Sequence, residues 1–467
     1  MLCNNFNRYI IRMMNLSLLL VSLGLNSCVF NQKKSMFKQE KQITFDEKGH
    51  LLNHTQVFSP DGRWVVYDTR NDDSKIGSTS TIEMVNIETG EIKELYHTQN
   101  QTEYGPGVGA ATFSPTENKV IFIQGIRNSN KEKPYGFTRR NGVAIDVVNP
   151  GNPIYMDARD IIPPFTAGAL RGGTHAHSWS GDGSMVVFTY NDYVIEQLSK
   201  NDTTVQDLRM VGVMFPKKVL VKEDTAFENN NGEMFSVIIS EVKENLEPGT
   251  DEIDRAFDEC WIGTDGYINA AGKRIKKAVA FQGNVRDAQG NIKTEIFIVD
   301  LPEDLTKPGE YPLEGTERVR PGLPQGVQQR RLTHLANGVQ GPRHWLRSTP
   351  DGSVILFLSR DGDGFINVFS ASVNGGEEIQ ITRNKFDVQS GINLSPDGKY
   401  VSYVAENAIF VTEITTGKST QLTESTDDSS KPVGAVMWSP NGEKLVYNRY
   451  VQSENGNYLQ VFSLDVK

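Results

Sequence analysis

Short apolar runs recur along this chain, each forming one arm of a strand–turn–strand pattern. Six segments read almost alike: HTQVFSPDGRWVVYDT from His54, GAATFSPTENKVIFIQ from Gly109, HAHSWSGDGSMVVFTY from His175, HWLRSTPDGSVILFLS from His344, SGINLSPDGKYVSYVA from Ser390 and GAVMWSPNGEKLVYNR from Gly434. A seventh, DECWIGTDG from Asp258 followed by KKAVAFQ at Lys277, has a longer turn. The Pro presets φ, and Asp-Gly or Asn-Gly supplies the positive-φ positions of a tight turn. The flanking runs at Trp64–Thr69, Lys119–Gln124, Met185–Tyr190 and Val354–Ser359 are β-branched and aromatic, which suits half-buried strands.

Two further strands are expected behind each hairpin, for example Asn367–Val373 with Ile379–Thr382, and Ala408–Ile414 with Ser419–Thr423. Four antiparallel strands per unit, repeated radially, make a β-propeller blade, and a lone blade cannot bury both of its faces. The pattern therefore predicts an all-β, seven-bladed β-propeller of four-stranded antiparallel blades. The last unit ends after its third strand, Leu459–Asp465. Lys41-Gln42-Ile43-Thr44 nearly copies the outer strands Ile379-Gln380-Ile381-Thr382 and Gln421-Leu422-Thr423. The N-terminal strand is thus expected to complete the C-terminal blade, which also protects a sheet edge.

The SPDG-type hairpins followed by QIT or QLT resemble the WD40-like propeller repeats of TolB-type proteins, over roughly residues 41–467. HTQVFSPDGRWVVYDTRNDDS is similar to the YidR-type group of bacterial TolB-like proteins. The resemblance implies the fold and no particular activity. Seven units is one more than the six typical of TolB, and its small α/β domain is not seen here.

At 467 residues, with 37% hydrophobic and 9% aromatic positions, the chain can bury a large core. A formal net charge of -10 with no basic block argues against a nucleic-acid partner. Arg8 and Arg12 precede an apolar run from Met13 to Leu25, as long as a signal-peptide core and short for a membrane span. The run ends in Leu25-Asn26-Ser27-Cys28, which resembles the lipobox of bacterial lipoproteins. The expectation is a signal peptide over residues 1–27, lipidation of Cys28, a tether over residues 28–40 and a propeller over residues 41–467. The chain would then be exported and held in the bacterial cell envelope, facing the periplasm, with the membrane as a partner through its lipid anchor. Only Cys260 remains in the body, so neither an internal disulfide nor a zinc–cysteine cluster can support it.

Loops between second and third strands (69–80, 125–141, 283–293) and crossovers between blades (157–173, 222–255) should emerge on one face. An insert at 302–328 should emerge on the other. Long loops massed on one face mark a binding surface. Aligning the hairpins on their turns puts His54, His175 and His344 at one position, five residues before Ser59, Ser180 and Thr349, with Asp258 there in unit four. His177 should share the side of His175 by strand alternation. Imidazoles and a carboxylate converging from separate blades suit a divalent metal, Mn or Zn, and also suit polar lining of a water-filled channel. Arg171 and Arg343 are the nearby cationic candidates for ligand binding. Tyr135, with Tyr104, Phe137 and Phe165, could stack on a sugar or contact a protein.

Oligogalacturonate lyases, seven-bladed propellers with a histidine-held Mn²⁺, are similar at the level of fold. There is no G-x-S-x-G elbow, P-loop or HExxH. Asp361-Gly362-Asp363-Gly364-Phe365 starts like a calcium loop but lacks the later Glu, and reads as an acidic turn. The expected function is binding of a protein or glycan through the loop-rich face. The alternative is a metal-dependent lyase or hydrolase acting on a polysaccharide or uronate-like substrate.

Overall fold

Five of the seven hairpin turns bond a hydroxyl to the carboxylate or amide two residues on. Ser59 Oγ donates to Asp61 Oδ1 (2.6 Å) and accepts from the Trp64 N–H (3.0 Å), while Gly62 takes a φ of 71°. The hydroxyl–carboxylate bond recurs at 2.6 Å in Ser180–Asp182, Thr349–Asp351 and Ser395–Asp397, and its amide counterpart at 2.7 Å in Ser439–Asn441. Only glycine takes such a φ without steric cost, which explains the glycine at the fourth position of every hairpin turn but the second, where Glu117 stands instead.

These turns sit in a computed structural model that describes residues 37–222 and 226–466. The expected signal peptide, Cys28 and the tether up to residue 36 lie outside the described residues. The chain divides into two units, Met1–Phe37 and Lys38–Lys467, and the second is the propeller. Its sheets form seven blades, mostly of four antiparallel strands. The innermost strands are Val108–Phe113 in blade 2, Gly172–Trp179 in blade 3, Ala256–Trp261 in blade 4, Arg347–Ser348 in blade 5, Asn393–Leu394 in blade 6 and Pro432–Trp438 in blade 7. Blade 1 has three regular strands. Its innermost segment touches the sheet only at Leu51↔Asp68 and Phe58↔Val65.

One cross-strand pair marks the middle of every blade. The second strand places an aromatic ring opposite the third strand: Tyr67↔Glu83, Phe122↔Val143, Phe188↔Gly212, Phe281↔Phe297, Phe357↔Phe369, Tyr403↔Phe410 and Tyr447↔Phe462. In blades 4 to 7 both members are aromatic and stack with centroids 5.9 to 6.2 Å apart. Such pairs add about 0.5–1.5 kcal/mol beyond their buried area. Neighbouring blades pack through buried aliphatic side chains, as where Val66, Ile82 and Met84 of blade 1 meet Val108, Val120 and Phe122 of blade 2.

The ring closes as the sequence predicted. Glu40–Gln42 pairs antiparallel with Asn457–Asp465, in the register Glu40↔Leu464 to Gln42↔Phe462. Ile43 is buried, and its N–H reaches Val461 O (2.8 Å). The repeated QIT signature has a physical basis. The hydroxyl of its threonine accepts a third-strand N–H at 2.9 Å (Thr44 from Val461, Thr382 from Val368) and at 3.0 Å (Thr423 from Ile409).

The loops depart from expectation in four places. Segment 222–255 is no simple crossover, because Gly232–Ile238 inside it is the outer strand of blade 3. Segment 283–293 is mostly strand: Ala278–Arg286 pairs with Ile292–Asp300 through Arg286↔Ile292. The second-to-third-strand loop of blade 3 instead carries a helix, Tyr193–Ser199, capped by Asp192. The insert 302–328 does leave blade 4 between its third and fourth strands, but it folds back. Its arms zip through Gly309 N–Leu323 O and Gln325 N–Lys307 O, both 2.9 Å, and Leu305, Leu313 and Val327 are buried against blades 3 and 4. That burial lays the hairpin along the flank, so its tip reaches the loop-rich face. There Arg318 pairs with Asp202 (2.7 Å) and Arg320 donates to Gln206 O (2.7 Å). Asp361 Oδ1 accepts from the N–H groups of Asp363 (3.0 Å) and Phe365 (2.9 Å), an acidic turn as read from the sequence.

Candidate functional site at the channel mouth

His54, His175 and His344 lie on or just before the innermost segments of blades 1, 3 and 5, with His175 the fourth residue of its strand, but they do not act as one set. Among the described residues no group of three or more His, Cys, Asp or Glu side chains is placed to hold a metal ion. The reason is a β-bulge that the sequence alignment could not register. Gln56, Ala176 and Asp258 take positive φ (51°, 58° and 50°), and the pairing register shifts between His175 and Ser178 and between Phe257 and Cys260. A bulge adds a residue to one strand and re-aims the side chains beyond it. It falls one residue after His175 in blade 3 and on Asp258 itself in blade 4. An equal count back from the turn therefore gives unequal directions, and His177 does not follow His175 by simple alternation.

Three of the five candidate ligands are engaged otherwise, whereas among the described residues His54 Nε2 and His175 Nδ1 are buried without a hydrogen-bond partner. His344 Nδ1 donates to Pro342 O (2.9 Å) while Nε2 accepts from the Leu358 N–H (3.0 Å), which uses both ring nitrogens. His177 Nε2 donates to Thr174 Oγ1 (2.9 Å), and that hydroxyl donates to Asp157 Oδ2 (3.0 Å). Asp258 is bound by Arg343 through Nη2 (2.9 Å) and Nε (3.1 Å). Burial pushes His344 down to about 4 and His177 to about 3, and pushes His54 and His175 well below the usual imidazole range. Nearby arginines act in the same direction on the last two: Arg347 and Arg343 on His54, and Arg140, Arg209 and Arg343 on His175. These donors do not fit a divalent cation, which the same arginines would repel.

The channel is closed below its mouth. Blade 1's innermost segment leaves its sheet and crosses the axis. The His54 ring stacks on Trp345 of blade 5 (centroids 3.6 Å, 5° between planes), and Arg347 donates to His54 O (2.7 Å). Gln56 bonds the backbone of Trp179 in blade 3 in both directions, at 2.8 and 2.9 Å. Blades 1, 3 and 5 are not neighbours in the ring, so these contacts span it. The mouth is a cup with a floor.

Arginines line that cup. Arg140 starts the third strand of blade 2, Arg209 precedes the third strand of blade 3, and Arg255 and Arg343 precede the inner strands of blades 4 and 5. Arg140 and Arg209 both lie over Phe137 (5.0 and 5.3 Å), Arg255 over Phe257 (4.9 Å) and Arg343 over Trp345 (4.3 Å). Gly173 makes room for Arg140: a Cβ there would sit 3.0 Å from Arg140 Cγ and 2.2 Å from Phe137 O. Burial together with Arg255, Arg140 and Arg343 pushes Arg209 down to about 10, with Asp258 pulling the other way. Glu259, fully buried beside Thr189, is pushed up to about 8 by desolvation, so it is mostly uncharged at neutral pH and offsets little of this charge.

Around the cup the loops are locked by buried ion pairs. Glu228 accepts from Arg139 (2.7 and 2.8 Å) and from Asn128 (2.9 Å), and Arg159 Nε donates to Glu228 O (3.0 Å). Arg171 is not free to bind a ligand: it is buried, pairs with Asp192 (3.0 Å), donates to Val319 O (2.8 Å) and Thr316 O, and so holds the tip of the insert. Tyr135 is half-buried and accepts from Arg140 through its hydroxyl (2.9 Å), a supporting role. Of the three ligand candidates only Arg343 faces solvent at the cup. Two clefts lie elsewhere, of about 820 Å³ between the outer edges of blades 2 and 3 and about 560 Å³ beneath the insert.

Comparison with known proteins agrees with this architecture. A family profile described as "Protein of unknown function (DUF3748)" matches residues 107–229, a stretch that includes Phe137, Arg139, Arg140, Arg209 and Glu228. Among solved structures, an oligogalacturonate lyase in complex with manganese is similar with a TM-score of 0.51 at 11% identity, over 93% of this chain and 94% of that one. That likeness concerns the fold alone. TolB from Acinetobacter baumannii gives a TM-score of 0.37 at 13% identity, over 87% of this chain and 80% of that one. Among curated proteins, the "Uncharacterized protein YidR" of Escherichia coli (strain K12) is 38% identical over 415 residues, covering 87% of this chain and 94% of the relative. On that similarity the chain belongs to the YidR family.

Proposed function

We propose that this chain is an exported lipoprotein of the bacterial cell envelope that binds a partner, a glycan or a protein, through the loop-rich face of its propeller. The observation that carries the reading is the way the long loops of blades 2 to 4 are fastened together. Buried ion pairs at Glu228 and Arg171 fix them as a rim around a closed cup. Loops with no role in binding have no need of such fastening, since buried charges cost several kcal/mol to desolvate. The alternative, a metal-dependent enzyme on a polysaccharide, has in its favour the shared architecture with the manganese-bound lyase. The donor arrangement at the mouth speaks against it.

The reading is tested with a photoreactive amino acid placed in the full-length chain. Phe137, 60% exposed, stands on the rim, whereas Val148, 79% exposed, follows the third strand of blade 2 on the opposite face. Crosslinks to an envelope glycan or protein are expected from position 137 and not from position 148. Crosslinks from 148 alone, or none from 137, would contradict it.

A further inference from the structure

We infer that the cup is a site for a polyanionic chain, an acidic oligosaccharide whose successive carboxylate or sulfate groups are taken by Arg140, Arg209, Arg255 and Arg343. This deepens the proposed function and rests on the loop-rich face being the binding face.

Three observations carry it. First, the cations outnumber their partners. Among the described residues Arg343 is paired with Asp258, while Arg140, Arg209 and Arg255 have no ion-pair partner. Arg347, deeper in the cup, is also held by neutral acceptors, His54 O and Asn393 Oδ1. On a chain of net charge -10, a local excess of this sign focuses the field on one spot.

Second, the donors are largely unspent. Arg140, 2% exposed, donates through Nη1 to Tyr135, while its Nε and Nη2 have no partner. Arg209 makes one bond, at 3.3 Å to Asn191. A guanidinium held by the face of an aromatic ring keeps its N–H edge available, and that planar fork matches a carboxylate or sulfate in a bidentate manner. Phe137, Phe257 and Trp345 therefore orient the arginines without consuming their hydrogen bonds.

Third, the arrangement is an arc. The four residues come from four consecutive blades, 2 to 5, so they form a curved row around a closed floor. A small single anion would engage one or two of them, and a chain of repeated acidic groups engages all. Burial first, and then the neighbouring Arg255, Arg140 and Arg343, depress the basicity of Arg209, and a bound polyanion relieves the repulsion among these guanidiniums.

The experiment is calorimetric titration of the full-length chain at fixed ionic strength with three probes: a mannuronic acid hexamer, a neutral glucose hexamer and citrate. The acidic hexamer is expected to bind at least tenfold more tightly than citrate, and the neutral hexamer to give no heat. Arg209→Gln and Arg255→Gln, neither of which breaks an ion pair, are each expected to weaken the acidic hexamer at least tenfold, with Arg209→Lys recovering part of the loss. Thermal melts of the variants show whether they are folded. Citrate binding as tightly as the hexamer would make the ligand a small polycarboxylate and overturn the chain assignment. Equal binding of neutral and acidic hexamers, or binding untouched by the arginine variants, would overturn the anion site. If Phe137→Ala still abolished that binding, the loop-rich face would stand. A DNA oligonucleotide bound in an arginine-dependent way in place of the acidic hexamer would overturn the glycan class.

Discussion

Deletion of residues 38–44 will lower the melting temperature by roughly 10 °C or more and make the protein prone to aggregate, although the segment is a small fraction of the chain. Its removal takes away the Glu40–Gln42 strand pairing, the burial of Ile43 and the hydrogen bonds of Thr44 with Gln460 and Val461. It also strands a charge. Glu40 pairs with the buried Arg449 at 2.6 Å and accepts from the Tyr447 hydroxyl. Losing one partner of a buried pair costs about 3–5 kcal/mol, a buried isoleucine about 2–3 kcal/mol, and each hydrogen bond about 1 kcal/mol. The sum is on the order of 10 kcal/mol. A propeller of this length has an unfolding entropy of roughly 0.9 kcal/mol/K, which converts that cost into the stated shift. The third strand of blade 7 would then be an open edge, ready to pair with another chain. Differential scanning calorimetry checks this, and a melting temperature within a degree or two of the parent would refute the closure as a stabilising element.

Glu228→Leu is the second large effect expected. Burial alone would raise the Glu228 pKa, but the hydrogen bonds from Arg139 and Asn128 hold it below the usual carboxylate range. Replacing it leaves Arg139, 6% exposed, and Arg159, 0% exposed, close to each other in a buried site without the Glu228 carboxylate. The expected loss is about 3–5 kcal/mol in denaturant unfolding. Glu228→Gln, which keeps an acceptor for Arg139, should lose less. The Leu variant should also weaken partner binding, because Glu228 holds the loop that carries Asn128 and Arg139 at the edge of the cup. A loss under 1 kcal/mol for Glu228→Leu would mean that the ion cluster does not hold the rim.

The fold was more legible than the site, for physical reasons. Turn chemistry is local: a hydroxyl, a carboxylate and a glycine within four residues give the same bonds wherever they occur, so the hairpins at Ser59, Ser180 and Ser395 could be read directly. Closure was legible because Gln42-Ile43-Thr44 repeats a bonding pattern used elsewhere in the chain. The direction of His175 and Asp258 was not legible, since a bulge is set by how a strand meets its neighbours around the ring. Arg171 was misread for a related reason. Its partners Asp192, Thr316 and Val319 lie up to 148 residues away. The arginine cup did leave a trace in the sequence. Arg140, Arg255 and Arg343 stand at or just before strand starts, with Phe137, Phe257 and Trp345 two or three positions away. Nothing in that spacing says that the four arginines face one another, because they come together only when the ring is closed.

The central claim, that the loop-rich mouth is the working surface, is tested most directly by hydrogen exchange of the full-length chain with and without saturating mannuronic acid hexamer. Slowed exchange is predicted in the segments around Phe137–Arg140, Arg209, Arg255–Asp258 and Arg343–Trp345, with the turns at Ser59–Gly62, Ser180–Gly183 and Ser395–Gly398 on the opposite face unchanged. Protection confined to those turns, or to the flank of blades 2 and 3 around Tyr155 and Lys218, would contradict it.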